Sequence, residues 1–111
     1  YSKLFKSVEG ITVFHEPTRD YRSNHWLSCI LIDSEITGFT KEDLRLQLLN
    51  DNIEARSLWK PMHQQPIFQK FKYYGKQVAE SLFNNGLCLP SGDNLTNEDR
   101  MRISKSIHKL L

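Results

Sequence analysis

Residues 26–32 read WLSCILI, a continuous apolar run bounded by Asn24 on one side and by Asp33 and Ser34 on the other. A short run that is rich in Ile and Leu and is closed by polar turn residues is typical of a central strand. We therefore predict that this stretch forms the core strand of the fold, with the indole of Trp26 in the core.

Shorter segments on either side of this strand complete a small sheet. Residues 11–14 and 86–90 have the apolar character of brief strands, and residues 53–59 alternate well enough for a strand exposed on one side. Residues 1–9 are predicted to close a helix that ends at Gly10. Residues 15–25 are polar and have no period, which predicts a loop.

Three helices are predicted from capping patterns and apolar spacing. Thr40 and Thr96 each begin a Thr-x-x-acid pattern, which is typical of a helix start. The first of these helices covers residues 41–50, and a further helix over residues 76–85 ends before Gly86. The last helix closes the domain with an apolar stripe at helical spacing: Ile103, Ile107, Leu110 and Leu111.

Strands and helices that follow one another in this way predict an α+β fold, in which helices cover one face of a small sheet. The 111 residues suffice for one domain, since a core of this size buries roughly two-thirds of the surface that the unfolded chain exposes. Residues 1–111 are therefore expected to form a single domain. The chain begins with Tyr1 and not with Met, and we expect it to be a fragment of a longer protein.

Composition argues against several kinds of partner. Fifteen Lys and Arg oppose thirteen Asp and Glu, and a net charge of +2 is too small to favour nucleic acid or an anionic membrane. No apolar stretch approaches the ~20 residues that span a bilayer, and no signal-peptide pattern is present, so a cytoplasmic protein is expected.

Cys29 and Cys88 lie in apolar runs and are predicted to be buried and reduced. The four histidines do not form a metal-ligand pattern, and no metal is predicted.

One dense polar group follows the third predicted strand, where binding residues tend to lie. Its members are Arg56, Trp59, Lys60, His63 and Gln64. Cationic side chains pair with phosphate oxygens, and an indole covers the apolar face of a sugar ring. Pro61 and Pro66 predict a loop over residues 60–66. The alternative interpretation of the polar group is structural. In it Arg56 and Lys60 are solvated, Trp59 lies in the core, and His63 hydrogen-bonds a backbone group in this loop.

A second polar group, residues 22–26, precedes the core strand, and Asn24 is suited to a turn there. The sequence contains no Ser-His-Asp set, no phosphate-binding glycine loop and no dinucleotide fingerprint. No complete active site is visible.

Three separated motifs, in order and covering nearly the whole chain, resemble the C-terminal part of the DegT/DnrJ/EryC1/StrS sugar aminotransferases. They are RSNHWL at residues 22–27, IEARSLWKPMHQQP at residues 53–66, and GLCLPSG at residues 86–92 together with Leu95 and Thr96. The amino-acid sequences of residues 24–27 and 59–61 are similar to those of enzymes acting on UDP-linked 4-keto-6-deoxy-N-acetylhexosamines.

The resemblance implies the small C-terminal domain of a fold type I aminotransferase, with a mainly antiparallel sheet, in an enzyme that is a homodimer. It also implies transfer of an amino group, commonly from glutamate, through pyridoxal phosphate to a nucleotide-linked keto-sugar. The large domain, absent here, would bind the cofactor through a lysine, so the fragment alone has no catalytic residue. His63 matches the family's Lys-Pro-x-His position and is the first candidate for a substrate contact, followed by Asn24, Arg56 and Lys60.

Two other functions stay open at the level of sequence. One is a non-enzymatic module whose loop at residues 56–64 binds a nucleotide sugar or a protein, and the other is a regulatory homologue that has lost the amination. Without its large domain the fragment is expected to expose apolar surface and to associate.

Overall fold

The computed structural model describes residues 1–111, and residues 28–32 form a central strand in it. The strands are β1 (Ile11–Val13), β2 (Ser28–Ile32), β3 (Arg56–Ser57) and β4 (Gly86–Leu89). They form one sheet in the order β1-β2-β4-β3, and every neighbouring pair is antiparallel. The predicted α+β fold with a small antiparallel sheet is confirmed.

Four helices accompany the sheet: α1 (Ser34–Thr37), α2 (Lys41–Asn50), α3 (Val78–Asn85) and α4 (Asn97–Ile107). Both predicted capping patterns are present. The Thr40 hydroxyl accepts a hydrogen bond from Asp43 N at 3.2 Å, and the Asp43 carboxylate accepts one from Thr40 N at 2.7 Å. Thr96 and Asp99 repeat this exchange at the start of α4. Each pair satisfies backbone donors that have no partner within the helix.

The core lies on one face of the sheet. Ile30 and Ile32 on β2 and Leu87 and Leu89 on β4 are buried there, because alternate residues of a strand point to the same side. They join one apolar cluster with buried side chains of α2 and α4, namely Leu44, Leu48, Ile103 and Ile107. Helices α2 and α4 therefore cover this face. The opposite face carries Cys29, Cys88 and Arg56 in one row across the strands.

The position predicted for Trp26 is wrong. Trp26 precedes β2 and is 76% exposed. The chain turns sharply before the strand, because Asn24 Oδ1 accepts a hydrogen bond from Trp26 N at 3.1 Å and His25 takes a left-handed backbone conformation with φ of 52°. The indole is thereby directed away from the core.

Three other local expectations differ from the structure. Residues 1–9 form turns and no regular helix, although Phe5 among them is buried. The third strand is only Arg56–Ser57, although Ile53 and Ala55 before it do point into the core. Cys88 is buried as predicted, whereas Cys29 is half-buried; both are free thiols.

Gly86 joins α3 to β4 at a point with no space for a side chain. A Cβ there would collide with Leu58 Cδ1 and with the carbonyl oxygen of Leu82. We expect Gly86→Ala to lower the free energy of unfolding by about 2–3 kcal/mol, since overpacking a buried site forces side chains and backbone apart. Urea denaturation of the two proteins measures the difference.

Gly38→Ala is the matched control for this substitution. An added Cβ at Gly38 meets no atom within 4 Å, but the φ of 77° is left-handed, so only the conformational cost of about 1 kcal/mol is expected. If Gly86→Ala were no less stable than Gly38→Ala, close packing at the junction of α3 and β4 would be contradicted.

An ion pair joins the end of α2 to the end of α4. Lys109 Nζ lies 2.7 Å from both carboxylate oxygens of Asp51, and this hydrogen-bonded ammonium lowers the pKa of Asp51 below its ordinary value of 3.8. The folded state therefore binds fewer protons here than the unfolded state. The stability that the pair contributes is present above pH 3.8 and is lost as the pH falls through the lowered pKa.

We expect Asp51→Asn to make the free energy of unfolding less dependent on pH below about pH 4, because its side chain does not titrate. Denaturation at several acidic pH values measures this slope. The effect is small because the pair is partly exposed. An unchanged slope in the variant would show that the pair does not contribute to acid unfolding.

Candidate functional site

The imidazole of His63 is held from two sides. It lies in a short 3-10 turn, Met62–Gln64, that directly follows Pro61. Its Nε2 is 2.5 Å from Glu80 Oε1, and its ring is stacked on that of Tyr73 with centroids 3.7 Å apart. The Tyr73 hydroxyl in turn donates to the carbonyl of Lys76 at 2.8 Å. The ring of His63 is therefore fixed in both position and orientation.

The Glu80 carboxylate decides which nitrogen of His63 faces a ligand. A carboxylate only accepts hydrogen bonds, so the proton of the imidazole lies on Nε2. No protein group hydrogen-bonds Nδ1, and 18% of the His63 side chain is exposed. Nδ1 can accept a hydrogen bond from a ligand hydroxyl when the ring is neutral and can donate one when the ring is protonated.

Glu80 and Tyr73 are members of this site that the sequence analysis missed. Glu80 lies in the first turn of α3, where acidic residues are common because they favour the positive end of the helix dipole. In the sequence, Glu80 therefore looks like an ordinary acidic residue near a helix start, and nothing marks it as a partner of His63. The structural alternative placed a backbone partner on His63, and the structure shows a carboxylate instead.

The other predicted site residues pair with other groups or have no partner. Arg56 pairs with Glu54 at 2.7 Å, and both side chains are exposed. Lys60 is exposed and makes no hydrogen bond or ion pair. Asn24 makes the turn before Trp26. No hydrogen bond or ion pair joins any of these three residues to His63.

The largest aromatic side chains near the two polar groups are exposed and do not lie in the core. Trp59, which the structural alternative placed in the core, is largely exposed. Exposed apolar side chains are numerous in the 14–27 loop and in the long segment between β3 and α3: Phe14, Tyr21, Trp26, Leu27, Trp59, Met62, Ile67, Phe71, Tyr73 and Tyr74. Apolar surface of this extent marks regions that contact another surface or a ligand.

The 14–27 loop borders an open cavity of about 450 Å³ over the face of the sheet opposite the core. Glu16 organises the loop, since its carboxylate accepts a hydrogen bond from Ser23 N at 3.0 Å and lies 3.7 Å from His25 Nε2. The bond from Ser23 holds the pKa of Glu16 below its ordinary value. Arg22 and His25 line the cavity, and Cys29 and Leu58 form part of its wall. His63 does not line it.

The ammonium of Lys41 is engaged inside the fold and is not free to bind a carbonyl cofactor. Lys41 is the lysine whose pKa is lowered, and the cause is desolvation of its ammonium. That ammonium donates to the carbonyl of Phe83 and lies 4.4 Å from the centroid of the Phe83 ring. It therefore ties α2 to the end of α3. Lys41 therefore does not fit the role of a lysine that binds pyridoxal phosphate.

None of the helices has the length and apolar character that crossing a bilayer requires.

Comparisons with known proteins extend over almost all of this chain. The model of the DegT/DnrJ/EryC1/StrS aminotransferase family matches residues 1–108. EpsN of Bacillus subtilis, named as a pyridoxal phosphate-dependent aminotransferase, is 41% identical over 107 residues, which are 93% of this chain and 26% of that protein. GDP-perosamine synthase of Escherichia coli is 31% identical over 94% of this chain and 28% of its own length.

A solved structure agrees with these relatives. PseC of Helicobacter pylori, an aminotransferase involved in the biosynthesis of pseudoaminic acid, superposes with a TM-score of 0.79 at 28% identity, over 99% of this chain and 29% of its own. The chain thus spans less than a third of each of these proteins. The match over residues 1–108 shows that the chain belongs to the DegT/DnrJ/EryC1/StrS aminotransferase family.

Proposed function

We propose that this chain is the small C-terminal domain of a longer pyridoxal phosphate-dependent enzyme that transfers an amino group from glutamate to a nucleotide-linked keto-sugar. Membership of the family and the names of its relatives support the reaction class. In this proposal the remainder of the enzyme binds the cofactor and supplies the catalytic lysine. Lys41, whose ammonium is held by the carbonyl of Phe83, does not fit that role.

His63 is the residue proposed to contact the sugar nucleotide. The observation that carries this assignment is the fixed imidazole, with Nε2 held by Glu80 and Nδ1 without a protein partner. A polar group that is oriented before the ligand arrives loses little freedom on binding, and the hydrogen bond is correspondingly effective.

Arg56, Lys60 and Asn24 are proposed as secondary contacts. The two cations are exposed, and each is proposed to pair with a phosphate oxygen of a nucleoside diphosphate. Asn24 uses its Oδ1 in the turn before Trp26, so its amide NH₂ stays available as a donor. Each of these contacts requires the rest of the enzyme to complete the pocket.

The substrate proposed is a UDP-linked 4-keto-6-deoxy-N-acetylhexosamine, and the full-length enzyme is proposed to be a cytoplasmic homodimer. The sequence motifs at residues 24–27 and 59–61 support this choice of sugar. The exposed aromatic side chains at the 14–27 loop and after β3 support burial against other parts of such an assembly.

The test is the absorption spectrum of the full-length gene product, recorded beside that of the 111-residue chain, before and after addition of glutamate. We expect a cofactor band near the visible edge in the full-length protein alone, and we expect glutamate to bleach it. A full-length protein without the band would contradict the proposal and favour a sugar-nucleotide-binding module or a regulatory homologue. A band that glutamate leaves unchanged would contradict the assigned donor.

A further inference from the structure

Cys29 and Cys88 lie directly opposite each other on neighbouring strands. Cys29 on β2 is the register partner of Cys88 on β4, and their Sγ atoms are 3.6 Å apart. Both side chains are on the face of the sheet opposite the core, where alternation places them. The two residues are 59 positions apart in sequence, so only the folded sheet brings the thiols together.

The backbone hydrogen bonds identify the kind of cross-strand pair. The carbonyl of Cys29 accepts a hydrogen bond from Phe14 N, just after β1, at 3.0 Å. The N–H and C=O groups of one strand residue point to the same side, so those of Cys29 face β1 and not β4. Cys29 and Cys88 are therefore a non-hydrogen-bonded pair, the kind in which Cα atoms approach to about 4.5 Å and side chains are nearest.

That kind of pair suits a disulfide. Disulfides join residues whose Cα atoms are about 4.4–6.8 Å apart, and the spacing of a non-hydrogen-bonded pair falls in this range. The two sulfur atoms must approach further from their present contact, which rotation about the side-chain bonds can supply without moving either strand.

We propose that Cys29 and Cys88 form an oxidisable dithiol, in which a hydroperoxide oxidises Cys29 first and Cys88 then closes a reversible disulfide. In the first step the Cys29 thiolate attacks a peroxide oxygen, so that the O–O bond breaks, Cys29 becomes a sulfenic acid and the peroxide leaves as water or an alcohol after protonation. In the second step the sulfur of Cys88 attacks the Cys29 sulfur, the S–OH bond breaks, and the Cys88 proton leaves with the hydroxyl group as water.

The difference in exposure of the two thiols sets this order. Cys29 is half-buried and lines the cavity of the 14–27 loop, so a small oxidant can reach it. Cys88 is only 7% exposed, and burial raises the pKa of its thiol to about 11. Burial and the raised pKa make Cys88 slow to react with a dilute oxidant from solvent, whereas its Sγ lies 3.6 Å from that of Cys29 and is already in position to attack once Cys29 is oxidised.

The disulfide would have two consequences. It would remove the Cys29 thiol from the wall of the cavity, and it would stop oxidation of Cys29 at a reversible stage, because a sulfenic acid without a neighbouring thiol proceeds to irreversible products. In the cytoplasmic location proposed above, disulfides are usually transient and redox-sensing, which agrees with a bond that reductant opens again.

The experiment treats the full-length protein with hydrogen peroxide, blocks remaining thiols, and maps peptides by mass spectrometry without reduction. We expect a cross-linked pair of peptides containing Cys29 and Cys88, lighter than their sum by two hydrogen atoms and separated by a thiol reductant. Peptides carrying Cys29 as an irreversible acid beside a reduced Cys88, or both residues still reduced when a small reference thiol in the same sample has reacted, would overturn the proposal.

Two single variants test the order of the steps. With dimedone present during oxidation, Cys88→Ser should accumulate a dimedone adduct on Cys29, since the sulfenic acid has no thiol to react with. Cys29→Ser should show at least tenfold less adduct on Cys88. Equal labelling of the two variants, or faster labelling of Cys88, would overturn the assigned order. The outcome is independent of whether the protein transaminates sugars, so the two proposals fail separately.

Discussion

Replacing Leu48 with Ala is expected to lower the free energy of unfolding by about 2–5 kcal/mol. Leu48 lies on α2, is fully buried, and belongs to the cluster that joins this helix to the sheet and to α4. Truncation removes buried methyl groups and leaves a cavity that the other members of this cluster fill only in part. Urea denaturation of the variant and the parent chain measures the difference.

Leu49→Ala is the matched control, because it makes the same chemical change one residue further along α2. The Leu49 side chain is 52% exposed, and Ala is a slightly better helix former than Leu. We therefore expect a change of at most about 0.5 kcal/mol. Similar losses in both variants would contradict the assignment of the core to the Leu44 and Leu48 side of α2.

The helices that begin at a capping box were predictable because their signals are local. Thr40 with Asp43, and Thr96 with Asp99, lie three residues apart, and each pair forms the expected hydrogen bonds. Ile103 and Ile107 point into the core as their spacing predicted. The short helix α1 was not predicted, since its cap is Asp33 and it is only four residues long. A segment that short has no apolar period to detect.

The sheet was harder to predict because strand pairing is not local. The central strand was expected from its apolar run, but the run also included Trp26, and composition does not mark where the chain turns before Ser28. The turn depends on Asn24 and on a left-handed His25. The antiparallel direction of the strands followed only from the family resemblance, since no residue pattern states which strands are neighbours.

The candidate site was predictable only in part. The motif at residues 53–66 drew attention to His63, but the two residues that hold its ring come from later in the chain. Glu80 is 17 residues away from His63, and Tyr73 lies in an irregular segment before α3. The Glu80 contact brings α3 against the 3-10 turn, and the Tyr73 contact brings the segment before α3 against it. Both are tertiary contacts, which local sequence does not encode.

In the full-length aminotransferase that we propose, His63→Ala is expected to lower kcat/KM for the nucleotide sugar by about tenfold to a hundredfold. This range corresponds to the loss of one hydrogen bond of about 1.5–3 kcal/mol, as is typical when a charged group takes part. The half-reaction with glutamate should keep its rate, because the proposed contact is with the sugar nucleotide only. Steady-state kinetics with each substrate, and single-turnover reaction with glutamate, separate the two effects.

Two further variants distinguish a substrate contact from a structural role. Glu80→Gln keeps the size of the side chain but removes the charge that fixes the proton on Nε2, so a smaller loss in kcat/KM for the sugar is expected than in His63→Ala. Tyr73→Phe keeps the ring stacked on His63 and removes only the hydroxyl that bonds Lys76, so near-normal kinetics are expected.

A His63→Ala enzyme with unchanged KM and kcat for the sugar nucleotide would show that the imidazole only ties the 3-10 turn to α3. A loss in both half-reactions together with a lower melting temperature would point to that same structural role, because a contact made only with the sugar cannot slow the reaction with glutamate.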